Sequence, residues 1–393
     1  MSLNSTSSAE RVHIGFFGLR NSGKSSLVNA ITNQKISVVS SIKGTTTDSV
    51  QKSMEILPLG PVVIIDTPGM DDKGELGKLR VESAKRVLSK TDIAVLVVDA
   101  TKGMVKLDED IVKIFSERAI PYIVAMNKCD LLNSVPDEED NTIYVSAEKK
   151  YNINALKEKI ASIAKPRANT KRIVGDILQE NDVVVLVTPI DASAPKGRLI
   201  LPQQATIRDI LDSKAVAITV QPQQLDSVIK KIKGIRLVIT DSQAFATVNA
   251  IVPPSIALTS FSMLFARFKG DINIFASGAS QLDSLKDGDT VLISEGCTHH
   301  RQCEDIGTVK LPAWINKYTQ KHLNFCFTSG GDFPSELSNI SLVIHCGGCM
   351  LNEREIASRM ESAKKFNVPI TNYGVAIAYM QGILQRTLSL FKI

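Results

Sequence analysis

At 393 residues, 44% of them hydrophobic and 22% charged, the chain has the composition of an ordinary folded protein with room for two or three domains, which excludes a disordered or fibrous chain. The formal charge of +5 is small for this length and the basic residues are scattered, so neither nucleic acid nor a membrane surface is implied. Met1 to Ser8 is polar and lacks an apolar core, and the most apolar stretch, Ile251 to Phe268, is broken by Pro253-Pro254 and carries Arg267. No signal peptide and no membrane helix are expected, and the predicted location is the cytoplasm.

From Val12 to about Ala164 strand and helix patterns alternate. Val12 to Phe17, Val62 to Ile65, Ile93 to Val98 and Tyr122 to Ala125 are apolar runs of the kind buried in a parallel sheet. Ser25 to Ile31, Glu109 to Ala119 and Asn154 to Ile163 have helical spacing. The fold class is α/β: a phosphate-loop GTPase domain followed by two smaller α/β domains.

The first domain is expected at 1–170, ending in the polar, basic linker Lys165 to Arg172. A second unit at 171–252 has strands at Val183 to Val187, Ala215 to Val220 and Arg236 to Ile239, with helices at Gln203 to Leu211 and Leu225 to Ile232. After Pro253-Pro254 a third, 253–393, has strands near Val291 to Ser294, Asn324 to Thr328 and Leu342 to His345. A charged helix at Asn352 to Phe366 and an amphipathic helix at Val375 to Leu390 complete it.

Between the first strand and its helix stands Gly18-Leu19-Arg20-Asn21-Ser22-Gly23-Lys24-Ser25. Glycines at that spacing let backbone N–H groups close around phosphates, Lys24 adds charge at the β/γ-phosphates, and the Ser25 hydroxyl can bind Mg²⁺. The expected nucleotide contacts are Gly18, Asn21, Ser22, Gly23, Lys24, Ser25 and Ser26. Asp66-Thr67-Pro68-Gly69 follows a strand; Asp66 would hold the magnesium shell and the Gly69 N–H would meet the γ-phosphate. Asn127-Lys128-Cys129-Asp130 favours GTP over ATP, because the Asp130 carboxylate can accept from guanine N1–H and the exocyclic amine, a donor pair adenine lacks. Ser146-Ala147-Glu148 would back the base. Gly44-Thr45-Thr46-Thr47-Asp48 supplies a threonine to complete the magnesium shell and sense the γ-phosphate.

With these motifs the first domain resembles bacterial GTPases of the Era/TrmE class. The resemblance implies that Thr46 is the magnesium threonine and that Asn21 coordinates a K⁺ ion beside the phosphates. Lys24, Thr46, Asp66 and Gly69 are then the catalytic set. Met70 stands where Ras-like enzymes carry a water-positioning glutamine, so water must be held from elsewhere and hydrolysis should be slow. Asp71 and Asp72 are candidates, though a solvated loop accounts for them as well.

Six cysteines in a cytoplasmic chain argue against a disulfide framework. Cys129 lies in the first domain, while Cys297, Cys303, Cys326, Cys346 and Cys349 lie in the final quarter. Cys297-x-His299 and His345-Cys346-x-x-Cys349 follow strands, which places both at one sheet edge. Gly347-Gly348 lets backbone N–H groups approach sulfur. Structural zinc would take four of these five groups; an iron–sulfur cluster would take three cysteines and leave one iron for a weaker ligand. Cys303 and Cys326 fall outside the pattern and read as small apolar residues.

Joined in one chain, these motifs resemble the FeFe-hydrogenase maturation GTPase family, HydF. The resemblance implies a 4Fe-4S cluster on Cys297, Cys346 and Cys349 with an exchangeable fourth iron. His299 and His345 would be ligands or would support the ligands. Asp191, in a Pro/Gly-rich turn, or Glu304 or Asp305, could supply oxygen instead, although an acidic residue in such a turn is ordinarily a turn residue. The resemblance also implies a homodimer built on the middle domain. It implies a scaffold that receives a transient diiron precursor from two radical-SAM maturases and delivers it to apo-hydrogenase. No membrane or nucleic-acid partner is expected. The competing expectation is an RNA- or ribosome-associated GTPase with a zinc-binding C-terminal domain, which would want a basic, aromatic surface in a chain with only 5% aromatic residues. A redox sensor gating GTP hydrolysis is a third.

Overall fold

The computed structural model of the chain describes residues 8–33, 50–67, 84, 86–137, 140–164, 171–190, 199–296 and 305–391. They belong to two compact units, Met1–Ala168 and Asn169–Ile393.

The first unit is a six-stranded sheet of β1 (Val12–Phe17), β2 (Val50–Ile56), β3 (Gly60–Asp66), β4 (Ile93–Asp99), β5 (Tyr122–Asn127) and β6 (Thr142–Val145). Its order is β2-β3-β1-β4-β5-β6, with β2 antiparallel to β3 and the other pairs parallel. Alternate residues of the central strands serve opposite faces. Ile14, Phe16, Val95 and Val97 pack with Leu27, Val28 and Ile31 of α1 (Lys24–Thr32) and with Leu156 and Ile160 of a later helix on the same face. Phe17, Leu96 and Val98 pack with Ile111 and Phe115 of α2 (Lys106–Glu117) on the other. That later helix is α3 (Ile153–Ala164). Covering on both faces is why these strands read as unbroken apolar runs. Strand β2 was not legible in that way: it is an edge strand, and Gln51, Lys52 and Glu55 break its apolar pattern.

The second unit holds two parallel four-stranded sheets. One consists of β7 (Val183–Val187), β8 (Val216–Val220), β9 (Ile235–Thr240) and β10 (Ala257–Ser260) in the order β10-β9-β7-β8. Its helices are α4 (Leu201–Asp212), α5 (Leu225–Lys231), α6 (Phe245–Ile251) and α7 (Phe261–Lys269). Next come α8 (Ile272–Ser280), β11 (Thr290–Ser294), α9 (Leu311–Thr319), β12 (Asn324–Thr328), β13 (Leu342–His345), α10 (Glu353–Lys365), β14 (Ile370–Asn372), α11 (Tyr373–Met380) and α12 (Leu384–Leu388). The last sheet has the order β12-β11-β13-β14. One hydrophobic core runs through both sheets, from Val185, Val238 and Leu258 to Phe275, Val291, Ile344 and Ala376.

Two expectations change here. The helix expected over Val375 to Leu390 is two helices, because Gly382 takes φ +69° between them. Its first half is not amphipathic: Tyr373 to Ala378 are all buried, as suits an element inside a shared core. The chain also does not leave the middle sheet at Pro253-Pro254, since β10 follows and pairs with β9. Arg386 of α12 holds that connection by donating to Asn249 Oδ1 (2.6 Å) and to the carbonyls of Val252 (3.0 Å), Pro253 (2.8 Å) and Ile256 (3.2 Å).

Arg386→Ala removes these donors together and should lower the unfolding free energy of this unit by about 2 kcal/mol. The single tryptophan, Trp314 in α9, reports on that unit by fluorescence in a denaturant titration. An unchanged midpoint would mean that water serves those carbonyls equally well.

Candidate functional site

The nucleotide motifs gather at the C-terminal ends of the first sheet's parallel strands. Gly18, after β1, has φ +139°, and a Cβ there would lie 2.3 Å from the Val97 carbonyl oxygen. Gly23, before α1, has φ +91°, and a Cβ would lie 2.2 Å from Asn127 Nδ2. Both positions therefore demand glycine. Between them Asn21 is left-handed at φ +61°, turning the loop back on itself. Buried Lys24 donates to the carbonyls of Gly18 (2.9 Å) and Leu19 (2.7 Å), which holds its ammonium over the loop.

The Ser25 hydroxyl donates to Asp66 Oδ2 (2.8 Å), so the two oxygens suited to a divalent cation are already adjacent. Thr67 is anchored to the Phe16 carbonyl through both its N–H (3.2 Å) and its hydroxyl (2.7 Å). Asn127 joins two loops: Nδ2 donates to the Ser22 carbonyl (3.0 Å) and Oδ1 accepts from the Ala147 N–H (3.0 Å). Buried Ser146 accepts from the Lys149 N–H through its hydroxyl (3.0 Å). Asp130 stands exposed in the 3₁₀ turn Cys129–Leu131. Ser26 is in the first turn of α1.

Sequence reading missed Asp99, the last residue of β4. Lys128, left-handed at φ +66°, donates to Asp99 Oδ2 (2.6 Å) and to the Asn21 carbonyl (2.8 Å). Burial raises the Asp99 pKa, but the bonds from Lys128 and Thr101 outweigh it and hold the carboxyl below its ordinary range. Its place at a strand end beside the phosphate loop was the available signal.

The second cluster lies where the third sheet changes direction. From β11 the chain moves outward to β12 and then returns to the other side of β11 at β13. In parallel sheets the crevice at the strands' C-terminal ends at such a point is the usual ligand site. Ser294 is in register with His345, and His345 with Asn372. Gly296, which leads into Cys297, donates its N–H to Cys346 Sγ (3.0 Å), and Gly348 donates a second (3.3 Å). Gly348 has φ +63°, and a Cβ would lie 2.7 Å from Ile356 Cδ1, so only glycine lets the loop turn under the sulfur. Two N–H donors at one sulfur suit a metal-bound thiolate. Burial pushes the Cys346 thiol up to about 11 despite those donors, and burial raises Cys349 as well, so metal would bind by displacing protons.

His345 is fully engaged. Arginine can only donate, so His345 Nε2 accepts from Arg359 Nη1 (3.0 Å), and Nδ1 carries the proton donated to the Cys346 carbonyl (2.7 Å). Burial, then the Arg359 charge, lowers its pKa to about 3, so the ring is neutral. Arg359 also bonds Ser294 Oγ (3.0 Å), the Gly330 carbonyl (2.5 Å) and Glu355 Oε1 (3.0 Å). On the other side of Cys346, buried Glu295 accepts from the Tyr373 hydroxyl (3.3 Å), and burial followed by nearby negative charge raises the tyrosine's pKa well above its usual value. Arg359, Glu295 and Tyr373 lie outside the motifs; the i, i+4 pair Glu355 and Arg359 was their one sequence sign.

Thr46, Gly69, Met70, Asp71, Asp72, Asp191, Cys297, His299, Cys303 and Glu304 lie outside the described residues. Among the described residues no group of three His, Cys, Asp or Glu is gathered for a metal. Asp305 caps the turn that follows it, accepting from Thr308 N–H (2.8 Å) and hydroxyl (2.9 Å). Cys326 corrects an expectation: it is an exposed free thiol on the edge strand β12 rather than a packed apolar residue. Among the described residues no helix is long and apolar enough to cross a membrane.

Comparison with known proteins agrees with this division. Residues 13–128 match the domain described as 50S ribosome-binding GTPase. A GTPase Der of Kosmotoga olearia is 32% identical over 174 residues, covering 39% of each chain. A tRNA modification GTPase MnmE of Francisella tularensis is 38% identical over 162 residues, covering 39% of this chain and 35% of its own. The chain thus spans under two fifths of those relatives' lengths in the two cases. Era in complex with MgGDPNP and nucleotides of 16S ribosomal RNA is 28% identical, covering 39% of this chain and 56% of its own, with a TM-score of 0.36. The first domain is a phosphate-loop GTP hydrolase domain followed by further α/β sheets. Residues 173–270 match the hydrogen maturase F dimerization domain and residues 273–390 the hydrogen maturase F tetramerization domain, and the chain belongs to that family of hydrogenase maturation GTPases.

Asp130→Asn tests the base reading. An amide would lose acceptance from the guanine exocyclic amine and could donate to a carbonyl there instead. GTP affinity should fall at least ~100-fold while XTP affinity rises, measured by calorimetry. Equal loss for both nucleotides would place base recognition elsewhere.

Proposed function

We propose that this protein is a GTP-controlled scaffold that carries a 4Fe-4S cluster and delivers the diiron part of the FeFe-hydrogenase active site to apo-hydrogenase. The observation that carries the reading is the pair of backbone N–H groups aimed at Cys346 Sγ, one of them from the residue before Cys297. Cys297, Cys346 and Cys349 would bind the cluster. His345, with both ring nitrogens occupied, would orient the Cys346 carbonyl. His299 or Asp191 would remain for a fourth position. A bound cluster supplies an iron with an exchangeable site, and the precursor is the scaffold's cargo.

At the nucleotide, Ser25, Thr46 and Asp66 would hold Mg²⁺, and Asn21 a K⁺ ion that stands in for an arginine finger. Lys24 and the Gly69 N–H would meet the phosphates; Gly18, Ser22, Gly23 and Ser26 would line them. Asn127, Lys128, Asp130, Ser146 and Ala147 would hold the base. Hydrolysis would change partner binding rather than drive the metal chemistry, and the two radical-SAM maturases would load the scaffold. The matched dimerization domain ends one edge of its sheet at β8, whose Val216 is exposed, and an unpaired edge suits pairing with a second copy. We place the site of action in the cytoplasm.

Anaerobic iron, sulfide and zinc analysis with EPR of the reduced protein, wild type beside Cys346→Ala, tests the reading. About four iron and four sulfide per chain, with a signal lost in the variant, is expected. Stoichiometric zinc without sulfide after reconstitution would overturn it.

A further inference from the structure

Lys269, the last residue of α7, is buried, and it lies in the segment matched to the dimerization domain. Its ammonium donates to three carbonyls of the loop carrying both described motif cysteines: Gly348 (2.9 Å), Cys349 (3.2 Å) and Leu351 (2.5 Å). That loop lies in the segment matched to the tetramerization domain. The other end of α7 reaches the same loop. The Ser262 hydroxyl donates to Asn372 Oδ1 (3.0 Å), and Asn372 Nδ2 donates to the Cys346 carbonyl (3.2 Å). One helix, continuous with strand β10 of the middle sheet, thus holds the metal loop at both ends.

A buried ammonium is costly unless its donors are used, and a loop's carbonyls are costly to bury unless they accept. Each group solves the other's problem here, which makes the contact specific. Within the same loop the Leu351 N–H closes a turn on the Gly348 carbonyl (3.1 Å), and the Gly348 N–H reaches Cys346 Sγ (3.3 Å). The ammonium also fixes a positive charge beside a partly buried pair of thiols.

We propose that Lys269 is a positioning residue for the cluster: it clamps the Cys346 to Leu351 loop to the middle domain and sets the cluster's reduction potential with a fixed charge. The second half rests on the scaffold reading above; the first does not. Removing a nearby positive charge disfavours the reduced, more negative cluster, so the potential should become more negative.

The test uses the full chain with Lys269→Met and Lys269→Arg. In the metal-free protein, hydrogen exchange over residues 347–351 should accelerate about tenfold in Lys269→Met while β11 and β13 stay protected. Should Lys269→Met lose protection throughout, Lys269→Arg serves alone: its planar fork cannot converge on three carbonyls as an ammonium does, so faster exchange confined to the loop is still expected. In the reconstituted protein, EPR-monitored redox titration should give a more negative potential for Lys269→Met and one near wild type for Lys269→Arg. Unchanged loop exchange in the variants overturns the clamp, and an unchanged potential in a loaded Lys269→Met overturns the charge effect. A wild-type chain that takes up no cluster defeats the scaffold reading, while the metal-free exchange result still decides the clamp.

Discussion

Every residue set assigned a role here depends on one constraint: parallel strands send their C-terminal ends to the same edge. Such an edge collects loops from distant parts of the chain and presents their backbone N–H groups together. In the first sheet it brings Gly18, Asp66, Asp99, Asn127 and Ser146 together. In the third it brings Ser294, His345 and Asn372 into register, with Cys346 one residue and Gly296 two residues beyond. The two chemistries are different, but the backbone solution is the same.

What separates the two edges is how each is stiffened. The nucleotide edge uses short polar side chains that tie loop to loop, above all Asn127, with its bonds to Ser22 and Ala147. Both edges also use buried cations: Lys24 holds two carbonyls of the phosphate loop, and the cysteine edge has two such cations. Arg359 joins Ser294, His345, Gly330 and Glu355, and Lys269 gathers the loop that follows. Removing one member of such a network strands the others without water, so it resists piecemeal change. That stiffness suits a site whose sulfur atoms must keep fixed positions.

The sequence made the nucleotide edge legible because its motifs are contiguous and each glycine has a local reason. Gly18 and Gly23 would collide with Val97 and Asn127 if they carried a Cβ. The central strands were legible because both their faces are buried. Strands β2, β10 and β14 were not: the first is a polar edge, and the others are only four and three residues long. Ala257–Ser260 sits inside an apolar run that gives no period to separate strand from helix. The motif cysteines were visible by spacing, yet the partners of Cys346 were not. Arg359 acts on His345 beside it and Lys269 on the loop after it, both through tertiary packing, and an isolated basic residue in a helix ordinarily reads as a solvated face. In sequence His345 fitted either a ligand or a support for one, and the bond from Arg359 shows how its Nε2 is engaged.

The most direct test of the account is transfer of function. The protein would be purified anaerobically from cells that also express the two radical-SAM maturases, then mixed with apo-hydrogenase, and hydrogen evolution measured. The account predicts activity from the wild-type scaffold and none from a Cys346→Ala scaffold prepared in the same way. Equal activation by both, or by neither when the wild type carries its full complement of iron, would contradict it.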